Sequence, residues 1–148
     1  MKITEIDDFQ PGLTDSIYRL LRQLTDKQLD FSDDALRLII ESPNSHLFVA
    51  TEGDVLVGML TIGTYVSPSG KKAWIEDVVV DEVYRGQGIA KKMVSYAIDW
   101  TRRQDIPQLM LTSNPKRIVA NQLYAQMSFH RKETNVYRMN PIEENNIM

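Results

Sequence analysis

The chain has 148 residues, a length that suits one domain with a hydrophobic core, and its 43% hydrophobic and 25% charged residues are typical of a soluble globular protein. It contains no cysteine, which excludes disulfides, thiolate zinc sites and an acyl-cysteine intermediate. The formal net charge of −3 disfavours nucleic acid as the main partner, and with only two histidines we expect no metal site.

The hydrophobic pattern predicts, in chain order, a strand, two helices, three strands, a helix, a strand, a helix and one or two closing strands. The strands are expected at residues 2–6, 47–51, 55–65, 73–80, 109–112 and 131–139. The helices are expected at about 13–24, 32–42, 89–104 and 115–127, with the Ser32 hydroxyl capping the second. Antiparallel hairpins followed by crossover helices predict a mixed α/β sheet.

We expect one domain over residues 1–140, followed by a polar, frayed tail at 141–148. The first residues lack the long apolar core of a signal peptide. No apolar run is long enough to span a bilayer. These features predict a cytoplasmic protein that does not partner a membrane.

Residues 75–90 are the most informative segment, because a β-branched strand is followed by a polar hinge, a glycine loop and an amphipathic helix. Glycine lets a ligand approach the backbone, and a helix start offers unpaired N–H groups and positive dipole to an anion. Arg85 adds a fork of donors. One alternative is a tight turn at Gly86 and Gly88. Another is a dinucleotide-binding fingerprint, which Lys91 at the third position after Gly88 disfavours.

The spacing Arg-x-x-Gly-x-Ala, read over Arg85, Gly88 and Ala90, resembles the acetyl-CoA pyrophosphate loop of the GNAT superfamily of N-acetyltransferases. The predicted order of strands and helices is similar to the GNAT arrangement, so the resemblance covers nearly the whole chain. It implies a GNAT-like fold with a mostly antiparallel sheet and one splayed parallel pair.

A second segment, residues 117–129, resembles the GNAT signature through Ala120, Leu123, Tyr124 and Phe129. The alternative for Tyr124 is that it only adds to the apolar stripe of its helix. Two positions depart from the family pattern. Ser128 stands where glycine is usual, so the helix exit is expected to be strained. Arg117 stands where many members have asparagine, which leaves Asn114 and Asn121 as candidates for that cofactor contact.

The resemblance implies that the chain transfers acetyl from acetyl-CoA to a primary amine by direct attack in a ternary complex. Backbone groups of Val78 to Val80 would align the pantetheine arm and stabilise the oxyanion, and Tyr124 would assist departure of the thiolate. The cofactor-binding residues that it implies are Val78, Val79, Val80, Arg85, Gly86, Gln87, Gly88, Ile89, Ala90, Asn114 and Tyr124.

Glu76 and Asp77 are candidates for the base that deprotonates the amine, because an alkylammonium is almost fully charged at neutral pH. Strand alternation directs the two carboxylates to opposite faces, and a bulge would change which one faces the cleft. We favour Glu76 because it shares parity with Val78 and Val80. Solvated carboxylates with a water chain as the base are the alternative.

The acceptor is left open by the sequence. The run from Ile75 to Val80 also looks like the matching strand of glucosamine-6-phosphate N-acetyltransferases. A protein or peptide amine, a polyamine and an antibiotic are further options. The rivals to an enzyme are a non-catalytic CoA-sensing module and a nucleotide-binding regulator. A homodimer is a further partner that the resemblance allows.

Overall fold

A computed structural model describes residues 1–142 of the chain. The sheet contains β1 (Lys2–Glu5), β2 (Ser45–Glu52), β3 (Val55–Ser67), β4 (Gly70–Val80) and β5 (Leu109–Leu111). The helices are α1 (Leu13–Leu24), α2 (Asp33–Glu41), α3 (Ile89–Arg103) and α4 (Ile118–Gln126), and a short 3₁₀ turn covers Glu82–Tyr84. The predicted α/β fold class with a mixed sheet is confirmed.

The five strands follow one another across the sheet in chain order. β1 to β4 pair antiparallel, and β5 adds to β4 as the one parallel pair among the described residues. Short turns can join antiparallel neighbours, whereas the parallel pair requires the longer crossover that α3 supplies. Short connections therefore account for the pairing of β2 with β3 and of β3 with β4, whereas α1 and α2 lie between the paired strands β1 and β2.

The chain divides into two units, residues 1–114 and 115–148. The first contains the sheet and α1 to α3. The second contains α4 and is described as far as residue 142. Residues 143–148 of the expected polar tail lie outside the described part of the chain.

The predicted closing strand at 131–139 is not formed, because the described structure assigns no regular secondary structure to this stretch. Every residue from 130 to 142 is exposed, including the apolar Val136 and Tyr137. A strand requires a neighbour for its backbone N–H and C=O groups, which propensity alone cannot supply.

One face of the sheet packs against α1 and α2. The apolar positions of both helices meet strand residues in a single cluster of Ile17, Leu20, Leu36, Leu47, Val49, Leu56, Met59 and Val79. Ser32 caps α2 as predicted, since its hydroxyl accepts from the Ala35 N–H over 3.2 Å. The spacing of apolar residues thus places both helices over the sheet.

The opposite face packs against α3. The Phe48 ring lies 5.4 Å from Tyr96 and 5.7 Å from Trp100, measured between ring centroids. Gly58 permits a close approach, because a Cβ there would lie 2.8 Å from Met93 Sδ. The absence of a side chain at Gly58 therefore lets the first turns of α3 lie close to the sheet.

None of the helices in the described part of the chain combines the length and apolarity that a bilayer crossing needs.

Candidate functional site

The edge of β4 facing β5 is open along its second half. β5 pairs only with Ala73, Trp74 and Ile75, and no further pairing between these two strands is formed within residues 1–142. Beyond Ile75, the backbone groups on this edge have no strand partner in the described part of the chain. An extended ligand that carries amide groups can pair with such an edge as an added strand.

The three candidate valines differ in where their backbones point. The Asp81 N–H donates to the Val57 carbonyl on β3 over 2.8 Å. Because backbone groups alternate along a strand, those of Val78 and Val80 are directed to the open edge and those of Val79 to β3. The Val79 side chain is 4% exposed and belongs to the core. Val78 and Val80 are therefore the two valines whose amides can meet a ligand.

A β-bulge in β4 includes the candidate base Asp77 and the first of the valines, Val78. Thr61 pairs with Glu76 and Met59 with Val79, so Asp77 and Val78 together oppose the single residue Leu60. Asp77 adopts a left-handed backbone conformation with φ 54°. This is the geometry of a bulge whose first residue is left-handed, a position usually taken by glycine.

The bulge overturns the parity on which the choice of Glu76 was based. Directly paired residues share a face, so Glu76 lies on the Met59 and Val79 face. Val80 pairs with Gly58 and lies on the opposite face. The prediction that Glu76 and Val80 share a face of the sheet is therefore wrong, because the extra residue of the bulge shifts the alternation of side chains by one. Glu76 as the base stays a prediction, now without that reason.

Glu76 and Asp77 are exposed residues, and the pKa of each carboxylate is nevertheless raised. Burial raises the pKa of Glu76, and the charge of Asp77 raises it further. Burial also raises the pKa of Asp77. A raised pKa brings a carboxylate closer to the operating pH, which makes it a better proton acceptor once it is ionised.

The glycine loop forms the start of α3. Gly86 and Gly88 have φ 80° and 77°, in the left-handed region that favours glycine. Gly88 is the N-cap of α3, and no side chain caps this helix. The first N–H groups of α3 therefore lack side-chain partners. A Cβ at Gly86 or Gly88 would meet no atom within 4 Å, so the loop faces open space.

The Arg85 side chain forms one hydrogen bond with the strand that it follows. Its Nε donates to the Val80 carbonyl over 3.1 Å, which anchors the side chain beside the end of β4. Arg85, Gly86, Gln87 and Gly88 are exposed, Ile89 is buried, and Ala90 is half-buried. The polar part of the predicted loop is thus available to a ligand, whereas Ile89 serves the core.

An open groove of about 500 Å³ runs along α3 from the same loop. It is lined by Gly88, Lys91, Lys92, Ser95, Tyr96 and Asp99. The two lysines add positive charge beside the uncapped helix start, where an anion is already favoured.

Tyr124 lies in the second unit, on α4, and is 7% exposed. Its ring packs edge-to-face against Phe129, with 6.0 Å between centroids. Burial raises the pKa of the Tyr124 phenol, while the charge of Arg117 has a smaller lowering effect. The hydroxyl is therefore protonated at neutral pH and can donate a hydrogen bond.

The end of α4 confirms the strain expected at Ser128, whose φ is 72°. Ser128 N–H donates to the Ala125 carbonyl over 3.2 Å and Phe129 N–H to the Tyr124 carbonyl over 3.0 Å. This pair of bonds is a Schellman motif, in which glycine normally occupies the left-handed position.

The two candidate asparagines differ in environment. Asn121 lies on α4 and donates from Nδ2 to the Arg117 carbonyl over 2.7 Å. Asn114 lies after β5 and is exposed. Nearby in sequence, the Ser113 hydroxyl is buried and has no hydrogen-bond partner within residues 1–142. A buried hydroxyl without a partner is unusual in a folded protein.

Three residues that form contacts in the turn before the glycine loop, namely Arg19, Gln23 and Asp81, were not predicted from the sequence. Asp81 is 5% exposed and forms an ion pair with Arg19. Arg19 and Gln23 lie on α1, remote in sequence from the loop, and a single sequence contains no signal that links them to it.

In chemical terms, the first unit presents an open strand edge that leads into a cradle of N–H groups. These features fit an extended amide-bearing arm joined to a diphosphate. No cluster of three metal-ligating side chains occurs among the described residues.

Comparison with known proteins agrees with this geometry, since the model of the acetyltransferase (GNAT) family matches residues 14–129. This chain belongs to the GNAT family. The predicted membership is thereby confirmed.

The relatives of this GNAT chain act on different amines, according to their names. The aminoalkylphosphonate N-acetyltransferase of Salmonella typhimurium is 26% identical over 87% of this chain and 86% of its own length. The glucosamine 6-phosphate N-acetyltransferase of Arabidopsis thaliana is 30% identical over 64% of this chain and 67% of its own. The N-alpha-acetyltransferase 30 of Saccharomyces cerevisiae is 38% identical, but over only 40% of this chain and 34% of its own.

Among solved structures, an aminoglycoside acetyltransferase from an uncultured soil metagenomic sample superposes with a TM-score of 0.84. It is 18% identical, and the match covers 96% of both chains. A putative acetyltransferase from Agrobacterium tumefaciens superposes with a TM-score of 0.82 at 20% identity, over 95% of this chain and 100% of the other. At these identities the likeness shows the fold.

Proposed function

We propose that this chain is an acetyl-CoA-dependent N-acetyltransferase that moves acetyl to a primary amine by direct attack in a ternary complex. The observation that carries the proposal is the open edge of β4, which continues into an uncapped helix start with two left-handed glycines. An extended arm and a diphosphate, joined in that order, complement these two features. Membership of the GNAT family supports the same co-substrate.

The N–H groups of Gly86, Gln87 and Gly88 hold the diphosphate in this proposal, with the dipole of α3 behind them. Arg85 adds charge through the terminal guanidinium nitrogens, since its Nε is bonded to Val80. Ile89 and Ala90 contribute N–H groups of the first helical turn. Asn114 and the unpartnered Ser113 hydroxyl are further contacts.

Val78 aligns the pantetheine arm through its backbone groups and Val80 through its N–H, because the Val80 carbonyl accepts from Arg85 Nε. Val79 anchors the strand in the core. As the amine attacks, the acetyl carbonyl oxygen gains charge, and a backbone N–H aimed at it stabilises that charge. The bulge at Asp77 re-aims the backbone beside this position.

Tyr124 donates a hydrogen bond to the sulfur as the C–N bond forms and the C–S bond breaks. A phenol has a pKa of about 10 and a thiol of about 8.5, so full proton transfer to the thiolate is uphill by roughly 2 kcal/mol. Burial raises the pKa of Tyr124 and makes that transfer harder. Hydrogen-bond donation while charge develops on the sulfur is therefore the favoured role. The ammonium loses its first proton to the base before attack, and the second proton, which the nitrogen loses after attack, goes to the departing thiolate to give the thiol.

Glu76 accepts the amine proton in this scheme, with Asp77 or a water chain as alternatives. The raised pKa values of both carboxylates match this role.

Two observations bear on the class of amine that accepts the acetyl group. Carboxylates at the bulge favour an amine that arrives as a cation. An amino-sugar phosphate is the second candidate, supported by the 30% identity to a glucosamine 6-phosphate N-acetyltransferase. A non-catalytic CoA-binding module is the rival to an enzyme. A cytoplasmic location and a homodimer remain predictions.

A thermal-shift series with acetyl-CoA, ATP and NAD tests the co-substrate. At a ligand concentration of 100 Kd, binding stabilises the folded state by about 2.7 kcal/mol, so acetyl-CoA alone should raise the melting temperature. A thiol-release assay across polyamines, amino-sugar phosphates, aminoglycosides and peptides then identifies the acceptor. A shift with ATP or NAD in place of acetyl-CoA would contradict the proposal. CoA binding without turnover on any amine would favour the binding module.

Tyr124→Phe tests the role of the phenol. We expect kcat to fall about 100-fold, the low end for loss of an acid catalyst, with the KM for acetyl-CoA unchanged. Tyr137→Phe is the matched control, because Tyr137 is 88% exposed in the same unit. An unchanged kcat in Tyr124→Phe would remove Tyr124 from the mechanism.

A further inference from the structure

Side chains of α1 hold the turn between β4 and α3. The Asp81 carboxylate at the end of β4 pairs with an Arg19 guanidinium nitrogen through one oxygen. Its other oxygen accepts from the Val83 N–H over 3.1 Å. The second terminal nitrogen of Arg19 donates to the Leu56 carbonyl over 2.7 Å. Arg19 thus ties the turn to the start of β3.

Gln23 makes a second tie from the same helix. Its side-chain oxygen accepts from the Glu82 N–H over 2.8 Å. Arg19 and Gln23 are four residues apart and therefore share one face of α1. A backbone bond completes this frame of contacts from Arg19, Gln23 and Asp81, since Tyr84 N–H donates to the Asp81 carbonyl over 2.8 Å. Every residue of the 3₁₀ turn is bonded through its N–H to this frame or to its cap.

Because the Asp81 carboxylate is charged, these contacts of the turn depend on the ion pair with Arg19. Burial alone raises the pKa of Asp81, but the hydrogen bonds from Arg19 and Val83 and the charge of Arg19 outweigh it and lower the pKa. The carboxylate is therefore ionised at neutral pH. An ionised carboxylate in a buried position is costly unless it is paired.

We propose that Arg19 and Gln23 are positioning residues for the anion cradle, acting through the Asp81–Tyr84 turn on the N–H groups of Gly86, Gln87 and Gly88. The turn is short, and the left-handed glycines follow it directly. A shift of the turn therefore moves the cradle relative to the open edge of β4. A bound diphosphate ester must contact the cradle and the open edge of β4 at once. The contacts from α1 therefore affect how well the distance between these two parts fits the ligand. This inference rests on the proposed function.

Calorimetric titration of Gln23→Ala with CoA and with pantetheine tests the inference. We expect the Kd for CoA to rise about three- to tenfold, the equivalent of one net hydrogen bond, and the Kd for pantetheine to stay unchanged because it lacks the diphosphate. Arg22→Ala is the matched control, because Arg22 is exposed on the same helix with its guanidinium 5.9 Å from the Tyr18 ring. It should leave both Kd values unchanged.

A second pair of variants separates positioning from loss of fold. Arg19→Met should weaken CoA binding more than Gln23→Ala, and Arg19→Lys should restore part of it because an ammonium retains the ion pair with Asp81. Equal Kd values for CoA in wild type and Gln23→Ala would overturn the inference. So would an equal loss of affinity for CoA and pantetheine, which indicates general loosening. If the wild-type chain binds no CoA, the proposed function fails first and the inference with it.

Discussion

At the scale of single residues, Ser128 is strained by its own backbone. It holds the left-handed position of the Schellman motif that ends α4, with φ 72°. A left-handed residue with a Cβ costs roughly 1–2 kcal/mol, which glycine avoids while losing more chain entropy on folding. Ser128→Gly should therefore raise the free energy of unfolding by about 0.5–1 kcal/mol.

Urea denaturation measures this change, with Ser128→Ala as the control. Alanine retains the Cβ and should give no gain. A lower free energy of unfolding in Ser128→Gly than in wild type would show that the serine is not strained.

Asp81 gives a stability that depends on pH in a defined direction. Its pKa is lowered in the folded state, so the unfolded chain binds the proton first as pH falls. The stabilisation is fully present above the unfolded pKa of about 3.9 and is lost as pH falls through the lower folded pKa. Wild type should therefore lose stability below about pH 4 more steeply than Asp81→Asn.

Chemical denaturation at a series of pH values from neutral to acid tests this expectation. The difference between wild type and Asp81→Asn isolates this carboxylate from the other acidic groups. A difference that is constant across the series would contradict an ionised, paired Asp81.

At the scale of elements, α1 and α3 offer two helix starts of the same kind. Gly12 and Gly88 are both left-handed N-caps, with φ 86° and 77°, and neither helix has a side-chain cap. A Cβ at either glycine meets no atom within 4 Å. The two positions therefore share the backbone cost of substitution and differ in the strand edge beside them.

Gly88→Val and Gly12→Val should lower the free energy of unfolding by similar amounts, about 1–2 kcal/mol. Only Gly88→Val should also weaken CoA binding, because its side chain fills the space that a diphosphate needs. Calorimetry and denaturation on the two variants measure both effects. Equal CoA affinity in the two variants would mean that the glycine loop is only a turn.

The four α-helices and the five observed strands could be predicted from the sequence, because each has a local pattern of apolar residues. The apolar repeat from Leu13 to Leu24 marks α1 to the residue, and Ser32 caps α2 as expected. The bulge at Asp77 could not be predicted, because it is a property of the pairing between β3 and β4. The prediction of a closing strand at 131–139 is wrong for the same reason. Its residues suit a strand, but no neighbouring strand pairs with them in the described part of the chain.

The candidate site likewise has one part with a local sequence pattern and other parts that depend on contacts between distant residues. The glycine loop is local, so its motif predicted the uncapped start of α3. The open edge of β4 arises from the short pairing with β5, and the tie from Arg19 to Asp81 joins residues 62 positions apart. Neither has a sequence signal in a single chain.

At the scale of the whole molecule, the family match and the proposed site residues can be assigned to each of the two units separately. The GNAT match spans both units, from residue 14 to 129. The strand edge and cradle lie in the first unit, and Tyr124 lies in the second. Relatives named for aminoalkylphosphonate and amino-sugar phosphate substrates share the family, so the acceptor has to be found by assay.

We propose that main-chain amides of the glycine loop bind the diphosphate of acetyl-CoA. The most direct measurement is an amide ¹H–¹⁵N NMR titration of the wild-type protein with CoA. We predict that the amide protons of Gly86, Gln87 and Gly88 move downfield together, because each donates to an anion. Binding of CoA that leaves these three resonances unmoved would contradict the account.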